Sequence, residues 1–287
     1  MPLNKKNIPH KLIESYLEGK CGFFVGAGLS FGAGFPDWRG LLIGLIERAE
    51  NGKMLTQDQA KECREHAEDP NKYLMIAEEL KDILGAEFKA YIEEIFGNDE
   101  LGPCPVHDLL VRLKRNRFII TTNYDLLIEK AFAKIGIYQS AYKYYEAHSI
   151  QTQLFRRDFF ILKAHGDAKT AAEQIVMTEK DYRRLFYQQP GYQSALQSIF
   201  TMYSVIFIGC SLNDPELKLL LNYINAAFPE GGIPHYALMT ADATGEIERG
   251  RWRKDYNMQI ISISSENDYE DIHIFLKILH ELEKRAA

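Results

Sequence analysis

The sequence is short of cysteine pairs, of basic excess and of long apolar runs, and each shortage closes off a class of function. Its four cysteines, Cys21, Cys63, Cys104 and Cys210, stand singly, so they build neither a CxxC zinc site nor a disulfide framework, and no metal is expected. Lys and Arg number 34 against 40 Asp and Glu, a net charge of -6. With no overall basic surface for a phosphate backbone, direct nucleic-acid binding is not expected. The longest apolar stretch, around Val205 to Leu212, is far below the ~20 residues of a membrane span, and the opening MPLNKKNIPHKL lacks the apolar centre of a signal peptide. The expectation is a cytoplasmic chain without membrane association. Linkers rich in Pro, Gly and Ser are missing too, which leaves residues 1–287 as a single domain.

What remains is globular in balance, with 46% hydrophobic and 26% charged residues. Short apolar runs that read as strands alternate with helical stretches: CGFFV from Cys21, RFIIT from Arg117, DFFILK from Asp158, SVIFIG from Ser204, HYALMT from His235 and MQIISI from Met258. Several run apolar without alternation, as strands covered on both faces do. The pattern predicts an α/β fold, a doubly wound, mostly parallel Rossmann-like sheet. Between the first two strands, residues 41–116 are mostly helical in composition and read as an inserted helical module. The last stretch, DYEDIHIFLKILHELEKR, has helical periodicity and ends basic, as a closing helix should.

Polar residues cluster where strands end, on the side where α/β sheets bind ligands. The first strand runs into Gly26-Ala27-Gly28-Leu29-Ser30. Such a loop lets backbone approach a pyrophosphate, or is simply a tight turn; with no Gly-Lys-Ser/Thr after it, it is not a P-loop. The second ends in Thr121-Thr122-Asn123-Tyr124-Asp125, where Asn123 or Asp125 faces the crevice or caps the next helix. The third ends in Lys163-Ala164-His165-Gly166-Asp167, and the fourth in Gly209-Cys210-Ser211-Leu212-Asn213-Asp214-Pro215, where Asp214 also reads as an N-cap with Pro215 at the first helical position.

Taken in order, GAGLSFGAGFPDWRGLL, TTNYD, LKAHGD and FIGCSLNDP resemble the motifs of the sirtuin (Sir2) family, over nearly the whole chain from Cys21 to Ile263. The resemblance implies NAD as substrate. Gly26, Ala27, Gly28 and Ser30 match its phosphate loop, and Asp37, Trp38 and Arg39 the mobile segment over the nicotinamide ribose. Asn123 and Asp125 match the residues that hold that ribose and the carboxamide, His165 matches the catalytic base, and Gly209 and Ser211 match the turn beside adenosine. Deacylating sirtuins carry two Cys pairs after the His-Gly motif, whereas only Cys210 follows His165 here. Thr122 also stands for their glutamine and Trp38 for their phenylalanine. SLNDPELKLLL is closer to the Sir2-like branch of prokaryotic antiviral defence, in which NAD is hydrolysed to nicotinamide and ADP-ribose.

That branch implies an NAD-depleting effector of an abortive-infection system, with Asn123 and His165 as catalytic residues. Because unchecked NAD hydrolysis would kill its own cell, it further implies an activating partner such as a HerA-like ATPase or a short Argonaute-type protein. A homo-oligomer is expected from apolar residues on more than one face of the insertion and the closing helix, for instance Tyr73, Leu74, Ile76 and Leu80, or Ile272, Ile274, Phe275 and Ile278. Two alternatives stay open: an NAD-dependent deacylase or ADP-ribosyltransferase, and a catalytically silent nucleotide-binding assembly subunit.

Overall fold

A computed structural model describes residues 3–212, 214–228, 232–240, 245–264 and 270–286. After helix α1 (His10–Leu17), strand β1 (Cys21–Val25) leads into the short α2 (Gly28–Phe31) and a run of helices: α3 (Trp38–Asn51), α4 (Gln57–His66), α5 (Tyr73–Leu84), α6 (Ala86–Phe96) and α7 (Pro105–Leu110). There follow β2 (Asn116–Thr121), α8 (Leu127–Lys134), β3 (Ala141–Lys143), α9 (Ala147–Arg156), β4 (Phe160–Lys163), α10 (Glu179–Gln188) and α11 (Pro190–Met202). The chain continues through β5 (Ser204–Ile208), α12 (Pro215–Ala227), β6 (His235–Thr240), α13 (Glu246–Tyr256), β7 (Met258–Ile263) and α14 (Glu270–Ala286).

The strands form one sheet in the order β3-β4-β2-β1-β5-β6-β7, and every described pairing is parallel. Without its edge strand β3, this is the doubly wound dinucleotide-binding order, with the reversal of winding between β1 and β5. All six expected strands are present. The seventh, β3, is three residues long and only half-buried, too short to leave a periodic signal.

Both faces of the sheet are apolar, which explains the unbroken hydrophobic runs. Along β1, Phe23 and Val25 enter the core shared with α1, α8 and α14, while Phe24 between them enters the core shared with α11 and α12. On β5, Ile206 and Ile208 face the first layer and Val205 and Phe207 the second. Successive strand side chains point to opposite faces, so a strand covered twice needs apolar residues at every position. Truncating one such phenylalanine to alanine costs about 3–5 kcal/mol.

The helices between β1 and β2 divide between two cores. Leu41, Leu42, Leu45 and Ile46 of α3, Ile76 and Leu80 of α5, and Phe88 and Ile92 of α6 build a third core of their own. Leu110 of α7 belongs to the layer under the sheet, so the separate helical module comprises α3–α6. It rests on the sheet's C-terminal edge through Tyr124 from the β2–α8 turn and Leu127 at the start of α8, and through Ala168, Ile175 and Met177 from the segment after β4. Two lysines tie that segment down: Lys81 Nζ of α5 donates to Ile175 O at 3.1 Å and to Asp181 at 2.8 Å, and Lys89 Nζ of α6 donates to Ala168 O. The module is therefore fastened to the loop that carries His165.

Candidate active site

Strand register sets the level of the site. Val25 pairs with Thr121 and with Ile208, and Thr121 pairs with Lys163. Gly26, Asn123, His165 and Gly209 accordingly lie one or two residues beyond matched positions on four adjacent strands, β5-β1-β2-β4, at one edge of the sheet. The sequence-predicted residues from three of the four motifs meet here in direct contact.

Glycines let the first and fourth motifs touch. Gly26 N–H donates to Ile208 O and Gly28 N–H to Gly209 O, each at 3.0 Å. A Cβ on Gly26 would stand 2.5 Å from Gly209 O. Gly209 has φ +64, and its own Cβ would meet Leu29 N at 2.5 Å. These glycines are needed for backbone-to-backbone closure, and the amides of Gly26 and Gly28 are engaged by the β5 turn. Leu212, in the same turn, also holds a positive φ of 57, a strained state for a branched residue and of the kind that gathers at ligand sites. Ala27 and Ser211 are exposed on this rim; Asn213 lies outside the described residues.

Beneath the rim is a network of uncharged donors ending on one carboxylate. Asn123 Nδ2 donates to Gly26 O at 3.1 Å and to Ser30 Oγ at 2.9 Å. Ser30 Oγ donates in turn to Asp125 Oδ2 at 2.7 Å. Thr121 Oγ1 donates to Val25 O at 2.9 Å and accepts from Asn123 N–H at 3.1 Å. Asp125 Oδ1 also accepts from Leu127 N–H at 3.0 Å, at the first residue of α8, while the N-cap position of that helix is Leu126, with no side-chain cap bond. Because the Gly26 carbonyl can only accept, the Asn123 amide is oriented with Nδ2 toward it. Asn123 Oδ1 is then left buried with no partner among the described residues. Such an orphan acceptor costs roughly 1–3 kcal/mol. It is the atom in the network equipped to receive a hydroxyl or a water.

The second half of the site surrounds His165. Gly166 has φ +79, the turn that lets the chain leave β4 with the histidine inward, and His165 O accepts from Val176 N–H at 3.1 Å. Its ring meets Tyr182 of α10 edge to face, with centroids 5.3 Å apart. Nε2 lies 3.5 Å from both Tyr182 Oη and Asp214 Oδ2, and Tyr182 Oη donates to that same carboxylate oxygen at 2.7 Å. Burial holds the imidazole below its ordinary range, opposed by the charges of Asp214 and Asp181. The ring is therefore neutral at physiological pH, and its contact with Asp214 is polar rather than ionic. As the sequence suggested, Asp214 caps α12, with Oδ1 accepting from Leu217 N–H at 3.1 Å.

Behind Asp214, Glu216 accepts from Gln193 Nε2 at 2.8 Å and from Tyr192 Oη at 3.1 Å. Burial and the neighbouring Asp214 charge push its carboxyl up to about 8. Tyr182, Glu216 and the role of Lys163 were not legible in the sequence, since each reaches the site from a separate helix or from within a strand. Lys163, buried at the end of β4, donates to Asp125 O at 2.5 Å and thereby braces the TTNYD turn.

Asp37, Trp38 and Arg39 sit instead within the helical module. Asp37 caps α3 by accepting from Gly40 N–H at 2.7 Å, Trp38 stacks on Tyr73 at 6.2 Å, and Arg39 pairs with Glu68 in the open. Their described contacts are thus with α3, α5 and the turn after α4, not with Asn123 or His165.

The strand order reverses at β1/β5, the glycines close there, and Asn123 and His165 stand on neighbouring strand ends, at the place where doubly wound sheets bind ligands. The model of the SIR2-like domain family matches residues 117–261, and the chain belongs to that family. It is similar to the defence-associated sirtuin 2 of Bacillus subtilis, 25% identical over 275 residues, which cover 94% of this chain and 26% of that protein. It is similar also to the NAD(+) hydrolase ThsA of Bacillus cereus (strain MSX-D12), 27% identical over 229 residues, 78% of this chain and 44% of that protein. The chain spans less than half the length of these relatives. A crystal structure of a Sir2 homologue–NAD complex aligns over 98% of this chain and 96% of its own, at 14% identity and a TM-score of 0.49; the strand order carries the fold assignment without it.

Proposed function

We propose that the crevice hydrolyses NAD, with Asn123 and His165 as its catalytic residues. The observation that carries this reading is the orphaned Asn123 Oδ1, a buried acceptor held in place by two hydrogen bonds from its own amide nitrogen. A ribose hydroxyl or the attacking water satisfies it. Water attacks C1′ of the nicotinamide ribose, the glycosidic C–N bond breaks, and its electron pair leaves on nicotinamide. The proton released by water passes to His165, which is neutral and able to accept it. NAD and water thus become ADP-ribose, nicotinamide and a proton. Once the crevice opens, Asp125 meets the carboxamide, the loop of Gly26, Ala27, Gly28 and Ser30 lies along the phosphates, and Gly209 and Ser211 lie on the adenosine side. Asp37, Trp38 and Arg39 take part only once the start of α3 moves over the ribose.

The chemistry needs no metal, because positive charge develops on the sugar and the leaving group departs neutral. Ligand atoms of His165, Asp214 and Glu216 do lie within 4.8 Å of one another. Their oxygens, however, already accept from Tyr182, Tyr192, Gln193 and Leu217, and a cation would have to displace these donors. Chelation should leave the rate unchanged.

Ser30, Asn123, Asp125 and His165 are 2%, 8%, 3% and 3% exposed, so NAD reaches them only after an opening movement. This supports a gated effector, acting in the cytoplasm where NAD is plentiful and switched on by a partner such as a HerA-like ATPase or a short Argonaute-type protein. Exposed Leu219 and Tyr223, one turn apart on α12, and exposed Phe155 and Tyr187 supply apolar surface for a homo-oligomer or that partner. Incubation with NAD, resolving nicotinamide, ADP-ribose and acyl-ADP-ribose, tests the reading: the first two are expected in equal amounts. NAD left intact by the activated assembly, or product formed only with an acylated peptide, contradicts it.

A further inference from the structure

His165 Nε2 faces two oxygens that cannot both donate to it. Asp214 is a carboxylate and only accepts. The Tyr182 hydroxyl has one proton and spends it on Asp214 Oδ2 at 2.7 Å, leaving lone pairs toward the ring. Both neighbours of Nε2, each at 3.5 Å, are therefore acceptors, and Nε2 is the nitrogen that carries hydrogen. We propose that Asp214 is a positioning residue for His165: it selects the Nε2–H tautomer and so leaves Nδ1 as the atom that takes the proton, with Tyr182 sharing its carboxylate.

Asp214 is built for this part. Its Oδ1 is committed to Leu217 N–H at 3.1 Å as the cap of α12, which points Oδ2 at the ring. The surrounding charges are arranged so that this carboxylate dominates. From α10, Asp181 is paired with Lys81 of α5 at 2.8 Å and with Arg184 at 3.1 Å, and Tyr182 is held neutral, well above its ordinary range, by burial and by Asp214. From α12, Glu216 keeps its proton at neutral pH, because burial and Asp214 raise it to about 8, while Tyr192 and Gln193 of α11 bond its oxygens. One negative charge, not two, stands beside His165.

Asp214→Asn tests the assignment without removing the cap, since asparagine caps helices as well as aspartate does. Its amide oxygen is claimed by Leu217 N–H, so its NH2 replaces Oδ2 and presents a donor to Nε2. In the full chain with 15N-labelled histidine, His165 is assigned by the signal lost in His165→Gln. The wild type should show the Nε2–H tautomer and Asp214→Asn the Nδ1–H tautomer, with an unchanged melting temperature. In Tyr182→Phe the tautomer should stay Nε2–H and the His165 titration midpoint should rise, because Oδ2 then faces the ring alone. A wild-type Nδ1–H tautomer, an unflipped Asp214→Asn or a midpoint unmoved in Tyr182→Phe overturns the proposal.

The kinetic arm rests on the NAD-hydrolase reading: kcat for nicotinamide release should fall about 100-fold or more in Asp214→Asn with KM little changed, and Asp214→Glu should recover part of it. An unchanged kcat in Asp214→Asn also overturns the proposal. A chain that never cleaves NAD but flips tautomer as stated overturns the hydrolase reading alone.

Discussion

The two halves of the crevice solve the same problem, keeping polar groups inside a protein, by different means. Around Asn123 the partners are uncharged: Thr121, Ser30 and the carbonyls of Val25 and Gly26 form a network in which one buried acceptor, Asn123 Oδ1, is left over. Around His165 the partners carry or could carry charge, and burial together with mutual repulsion sets who is ionised. The first half is fixed by geometry and should be indifferent to pH. The second is tuned by charge and should not be.

The sharpest break between the halves is expected from Asn123 and His165, the two residues proposed as catalytic. Asn123→Ala should lower nicotinamide release about 10²–10³-fold at every pH tested, and His165→Ala about 10²–10⁴-fold. The residual rate should lose its acid limb only in His165→Ala, and rate–pH profiles of both variants check this. If both keep full activity in an active assembly, the site is misplaced.

In the wild type, the acid limb itself reports on the second half. The base must be neutral to act, and burial lowers His165 from the ordinary histidine value. The rate should therefore stay level as pH falls through the ordinary histidine range and decline only below it. A limb at or above the ordinary histidine value contradicts the burial described for the ring.

A smaller effect is expected in stability. Burial and Asp214 push the Glu216 carboxyl up to about 8 in the folded chain, against the ordinary 4.5 when unfolded. Between these, the unfolded chain binds fewer protons than the native one, so the contribution of Glu216 falls as pH rises from 4.5 to about 8. Glutamine in its place has no such slope. The melting temperature of Glu216→Gln relative to wild type should therefore climb from pH 5 to pH 8. His235, held down to about 4 by burial, adds an opposite slope at lower pH that both proteins share. The smallest effect belongs to Arg39→Ala, which removes an exposed pair with Glu68: the melting temperature should not move, and any kinetic change should fall on KM.

How much of this was legible in the sequence follows the same division. The six long strands, the helical module and the Asn123, Asp125 and Ser30 positions could be read because backbone demands mark them: apolar runs for doubly covered strands, glycines where two loops touch, polar residues at strand ends. The three-residue β3 gave no pattern to read. The assignment of residues 41–116 to one insertion blurred a boundary, since Leu110 of α7 packs under the sheet with the first core rather than with α3–α6. Tyr182, Glu216 and Lys163 were hidden because their roles depend on which helix lies over which strand end. Asp214 was visible only as a helix cap, and its second oxygen acquires meaning from Tyr182 and His165, residues 32 and 49 positions away by number.

The central claim is that Asn123, by its unpartnered oxygen, makes this crevice an NAD-cleaving site. Nicotinamide release by the activated wild-type chain against Asn123→Ala, with matched circular dichroism spectra and melting temperatures, tests it most directly. The account predicts steady release of nicotinamide with an equal amount of ADP-ribose from the wild type and a rate near background from the variant. Equal rates from the two proteins would contradict it.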